Sequence, residues 1–139
     1  MSKTRVETRA RARALQALYA WDLRGEKNLE RVSAQVWDDM AIAPDERVIA
    51  ARILAEIVTG GVAIDAQLSE VTRNWRLERL SAVERSVLRI GAAELRQNDT
   101  PPRVVLQEAV KLAELYGTER SARFVNGVLD ALARKLGRV

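Results

Sequence analysis

Hydrophobic positions recur along this chain at helical spacing almost from end to end. In the first stretch Leu15, Leu18 and Trp21 follow i, i+3, i+6 with Ala14 and Tyr19 beside them, which predicts one amphipathic helix from about Thr4 to Arg24. Gly25 breaks that pattern. Asn28 suits the cap of a second helix, whose inner face is marked by Leu29, Val32, Val36 and Met40 with Trp37 alongside. Pro44 suits the first turn of a third helix. Asp45 and Glu46 complement its dipole, and Ile49, Ile53 and Ile57 line its buried side. Thr59-Gly60-Gly61 reads as its end. A fourth helix then carries Ile64, Leu68, Val71 and Trp75.

Punctuation is sharper in the second half. Ser81-Ala82-Val83-Glu84 has the spacing of a capping box and opens a fifth helix through Val87, Leu88, Ile90, Gly91, Ala92 and Leu95. Asn98-Asp99-Thr100-Pro101-Pro102 stops that helix and starts a sixth, with Thr100 as the expected N-cap. Val105, Leu106, Ala109, Leu112, Ala113 and Tyr116 form its stripe, and Gly117 supplies the C′ position. Thr118 caps a seventh helix, in which Val125, Leu129, Leu132 and Leu136 recur at i, i+4, i+7, i+11. No window alternates with period two, so no strands are expected and the fold class is all-α. No fixed repeat or low-complexity linker divides residues 1–139, which read as a single domain with a basic segment at 1–13.

One local conflict interrupts the last helix. Gly127 lies inside a strongly periodic stretch, where glycine costs about 1 kcal/mol relative to alanine. Close helix–helix approach would explain it. So would the display of Phe124 and Asn126 toward a ligand, with Gly127 giving clearance.

Charge adds what periodicity does not. Lys3, Arg5, Arg9, Arg11 and Arg13 face a single acidic residue, Glu7, so residues 1–13 carry +4, which is the formal charge of the whole chain. At about 100° per residue, Arg5, Arg9, Arg13, Gln16 and Arg24 fall opposite the apolar face. Arg11 is the exception, falling on the Leu15/Leu18 side, where it is expected to snorkel. Like charges at i, i+4 and positive charge at a helix N-terminus both cost helix stability, which points to an anionic ligand and predicts fraying of the first ten residues until one is bound. Arginine forks hold phosphate and stack on bases. Gln16 and Tyr19 follow one to two turns later, a plausible arrangement for reading a single strand.

The remaining chemistry is sparse. The chain has no cysteine and no histidine, which removes thiolate catalysis, the commonest general base and the commonest zinc ligands. The carboxylates, Glu108 with Lys111 among them, sit at spacings of surface ion pairs, and Asp38-Asp39 reads as a solvated face. No phosphate-binding glycine loop is present. No enzymatic role, cofactor or metal is expected. No apolar run approaches the roughly 20 residues of a membrane span, and no secretory h-region opens the chain, so a cytoplasmic protein is expected.

Arg9 to Trp21 (RARARALQALYAW), Leu88-Arg89-Ile90 with Glu94-Leu95, Thr100-Pro101, Glu108-Ala109-Val110 and Phe124 to Asp130 (FVNGVLD) together resemble the NusB transcription antitermination factor family. The resemblance runs from about Thr4 to Leu136. It implies about seven helices in two packed small bundles. It implies binding to the single-stranded boxA element of nascent RNA as a heterodimer with NusE, a small-subunit ribosomal protein, within the RNA polymerase antitermination complex that supports ribosomal RNA operons. RNA contacts would fall on Arg5, Arg9, Arg11, Arg13, Gln16, Tyr19, Arg120, Arg123 and Phe124, and a partner contact on Glu84. Arg120 departs from the acidic residue or lysine of many relatives. NusB-like domains also occur fused to RNA cytosine methyltransferases, so a helical module of an RNA-modifying enzyme is the alternative, and a protein-interaction scaffold is a third.

Overall fold

A computed structural model describes residues 3–72 and 76–139, with side chains from Arg5 onward. Six α-helices follow in order: α1 Lys3–Arg24, α2 Leu29–Met40, α3 Pro44–Val71, α4 Ala82–Gln97, α5 Pro102–Tyr116 and α6 Glu119–Lys135. A single 3-10 turn, Leu77–Arg79, precedes α4, and no strand occurs among the described residues.

The expected caps at Asn28, Ser81 and Thr118 form. Asn28 Oδ1 accepts from the Arg31 amide at 3.0 Å. Ser81 Oγ accepts from the Glu84 amide at 3.1 Å while Glu84 Oε1 accepts from the Ser81 amide at 3.3 Å, a complete capping box. Thr118 Oγ1 accepts from the Ser121 amide at 3.0 Å. Thr100 does not cap α5: Pro101 holds that position without a side-chain acceptor, Pro102 in the first turn has no amide of its own, and the Val104 amide donates to the Pro101 carbonyl at 3.0 Å.

The expected break at Thr59-Gly60-Gly61 is absent, so the third and fourth helices are one, the 28-residue α3. Neither glycine has a positive φ, and so neither can form a left-handed cap. Gly60 instead makes room. A Cβ there would lie 3.0 Å from Arg96 Nη2 and 3.1 Å from Glu56 Oε2, so the bare backbone lets the α4–α3 pair Arg96–Glu56 lie across α3. Trp75, expected in that helix, lies outside the described residues.

The helix α1 lies against three others. It packs on α2, α3 and α4, while α4 also meets α3, α5 and α6, and α5 meets α6. Ala10, Ala14 and Ala17 are fully buried, and these small side chains let α1 sit deep among its neighbours with Leu15 and Leu18. One apolar cluster runs through all six helices. Met40, expected inside, is exposed, and Trp37 and Ser33 take the inner positions of α2. The described chain is helical from Lys3, and Thr8 donates to Glu108 of α5.

Candidate nucleic-acid interface

The exposed side of α1 presents Arg5, Arg9 and Arg13 at four-residue spacing. Arg5 and Arg9 are exposed, and Arg13 retains 28% of its side-chain surface. Arg9 and Arg13 line a concavity of about 300 Å³ between α1 and α5, whose other wall is Lys111, Leu112, Leu115 and Tyr116. Tyr116 also borders a second concavity of about 310 Å³, lined by Leu15, Gln16, Tyr19 and Val83. Next to Val83 in sequence, Glu84 borders a third with Leu80, Arg120 and Phe124. Guanidinium groups, an amide and two exposed tyrosine rings therefore line the first two hollows, which Tyr116 joins, and the third adds Arg120 and half-buried Phe124. Such a surface can hold a backbone and stack bases.

Local bonds order this surface. Arg13 Nη1 donates to Gln16 Oε1 at 3.3 Å, and Gln16 Nε2 donates to the Tyr116 hydroxyl at 3.5 Å. Tyr19 and Tyr116 are 40% and 39% exposed, as a ring available to a ligand must be. Periodicity places Tyr116 in the core stripe of its helix. Its position in the last turn before Gly117 is the signal that it could swing to the rim.

At the other end, two helix N-termini are tied together. Glu84 Oε2 accepts from Ser121 Oγ at 2.8 Å while its other oxygen closes the capping box. Both oxygens of Glu84 are thus engaged within the chain, and the residue fixes where α6 begins relative to α4. This holds Arg120 and Phe124, one turn apart, beside the third hollow. Phe124 is half-buried, with part of its ring against the core. Arg123 is exposed but does not line that hollow.

Arg11 does not belong with the exposed arginines. It is 4% exposed, and its guanidinium forks onto Glu94, Nε to Oε2 and Nη2 to Oε1, both at 2.8 Å. Its Nη1 donates to Glu108 Oε1 at 3.1 Å. The helical turn that puts Arg11 beside Leu15 buries it between α4 and α5, where two carboxylates replace its water. The expected Glu108–Lys111 pair forms at 3.0 Å, but the Glu108 carboxylate is buried and also accepts from Thr8 and Arg11. Burial pushes its carboxyl up, but hydrogen bonds from Thr8 and Lys111 and the charges of Arg11 and Lys111 outweigh that and hold it below the usual range. Burial also works against the charge on Arg11, and the bonds and charges of Glu94 and Glu108 more than offset it.

Gly127 is exposed and a Cβ there would meet nothing within 4 Å, so close helix packing does not explain it. The tight glycine is Gly91, where a Cβ would lie 2.5 Å from Leu129 Cδ1. Among the described residues no group of three or more acidic, histidine or cysteine side chains could hold a metal, and no helix is long and apolar enough to cross a membrane.

The NusB family profile matches residues 8–134. The chain is 43% identical over 130 residues to the transcription antitermination protein NusB of Sorangium cellulosum, covering 93% of this chain and 92% of that one. It is similar to the crystal structure of antitermination factors NusB and NusE in complex with double-stranded RNA (TM-score 0.86, 33% identity, 94% of this chain and 98% of that chain). It is also similar to NusB of T. maritima (TM-score 0.82, 33% identity, 92% and 90%).

Proposed function

The chain belongs to the NusB family of transcription antitermination proteins, and from that premise we propose that it binds boxA-type single-stranded RNA together with NusE, in the cytoplasm, to sustain transcription of ribosomal RNA operons. Its work is binding, not catalysis. The observation that carries the reading is that Tyr116 joins the Arg9/Arg13 concavity to the Gln16–Tyr19 hollow, so that guanidinium groups, an amide and two exposed rings line one continuous surface. Arg5, Arg9, Arg13 and Arg120 contact phosphate, which supplies affinity without sequence information. Gln16, Tyr19, Tyr116 and Phe124 face bases. Arg123, one step around α6, meets the flanking backbone or the partner. Glu84 serves NusE and RNA through the α4–α6 geometry it fixes.

The similar complex contains NusE and double-stranded RNA, which supports both an RNA ligand and a ribosomal-protein partner. Likeness to an antitermination protein over nine-tenths of that protein's length favours this reading over a methyltransferase module or a pure scaffold. The test is binding of a short boxA-like single strand and a matched duplex, with and without NusE, across salt. About four phosphate contacts give a log–log salt slope near −3 on the single strand. Preference for the duplex, or salt-independent binding, would overturn the single-strand assignment.

A further inference from the structure

Glu46 was expected only to complement the dipole of its helix, but the fold gives it a second role. Its side chain is 5% exposed, in the first turn of α3, and it faces α1. Glu46 Oε1 accepts from Arg13 Nε at 3.1 Å, and Glu46 Oε2 lies 3.9 Å from Arg9 Nη1. The second distance is too long for a hydrogen bond but well within electrostatic reach. One buried carboxylate is thus shared by Arg9 and Arg13, which line the first hollow of the surface.

We infer that Glu46 is a built-in competitor for the RNA backbone, which holds the affinity of the Arg9/Arg13 strip below what two unshared guanidinium groups would give. The inference rests on the RNA-binding reading of that strip. Three features carry it. Arg9 and Arg13 keep 51% and 28% of their side-chain surface, so phosphate can reach them while Glu46 stays behind them. The negative charge is shielded from water and salt, so it acts at nearly full strength on its neighbours, unlike an exposed carboxylate. Glu46 also sits at the positive end of α3, which supports its charge independently of the arginines. A guanidinium can therefore turn toward phosphate without leaving an unsupported buried anion.

The experiment compares RNA binding by the wild-type chain, Glu46→Gln and Asp45→Asn. Glutamine preserves shape and an oxygen that accepts from Arg13, while it removes the charge and puts an amide donor in place of the oxygen nearer Arg9. Asp45→Asn removes the same charge from the same turn at an exposed position. Glu46→Gln should bind about three- to tenfold more tightly at low salt. Its salt slope should steepen by about 0.7, the equivalent of one more phosphate contact on a single strand. Asp45→Asn should change affinity by less than about twofold. Unchanged or weaker binding by folded Glu46→Gln, or equal tightening by Asp45→Asn, overturns the inference. Should Glu46→Gln fail to fold, the Arg13 Nε–H resonance of the wild-type chain decides: it should shift on RNA addition as phosphate draws the guanidinium from Glu46, and an unmoved resonance overturns the idea. Failure of the wild-type chain to bind RNA would instead strike the functional reading itself.

Discussion

Arg11 of α1 and Glu94 of α4 form a two-point ion pair in the interior, both bonds at 2.8 Å and both side chains under 8% exposed. With Glu108 it clamps α1 onto α4 and α5, and so fixes which side of α1 faces outward. Losing one member of a buried pair strands the other. Arg11→Met should therefore cost about 3–5 kcal/mol, more than losing an exposed arginine. Urea unfolding measures it, and a loss under about 1 kcal/mol would show that the clamp contributes little.

The same cluster sets an acid limit. The folded-state pKa of Glu108 is depressed below its ordinary 4.5, so its contribution is fully present above that value. It is lost as pH falls through the lower, folded-state value, because the unfolded chain then binds the proton first. Thermal unfolding followed from neutral into acid pH should show a falling limb below about 4.5 that Glu108→Gln flattens. An identical acid limb in that variant would assign it to other carboxylates.

Two helix glycines should respond to alanine with opposite signs. Gly127→Ala places a methyl in open space and should stabilise α6 by about 0.5–1 kcal/mol. If RNA or a partner passes close to this backbone, affinity falls while stability rises. Gly91→Ala drives a methyl into Leu129 and should cost about 1–3 kcal/mol or more. Calorimetry on the pair checks both signs.

Charge at the surface should appear in the salt dependence. Replacing Arg5 and Arg9 with Gln should reduce the slope from near −3 to about −1.5, with helicity retained. Arg13 is a poor site for charge reversal, since a glutamate there would face buried Glu46 and confound binding with stability. A full slope in the double variant would move the phosphate contacts elsewhere.

The aromatic rings should separate stacking from packing. Tyr116→Ala, at an exposed rim position, should weaken RNA binding by about 1–3 kcal/mol with little loss of thermal stability. Phe124→Ala should lower both, because its ring is shared between the third hollow and the core. Reduced stability with unchanged affinity would mark Phe124 as a core residue alone.

The sequence by itself determined the all-helical class and most helix starts, because caps at Asn28, Ser81 and Thr118 act on amides within three residues. It also determined that positive charge concentrates at one end of α1, since that is a matter of composition and spacing. Tertiary structure decided the rest. A glycine pair that would end an isolated helix lets α3 run on, because the space above Gly60 is filled from α4. Arg11 and Arg13, two residues apart, part ways: one is buried against carboxylates 83 and 97 residues distant, the other lines a hollow in front of Glu46, 33 residues on. Helical periodicity names the side of α1 on which each lies. Only the packing of α3, α4 and α5 decides which side meets water, and which carboxylates stand behind the arginines.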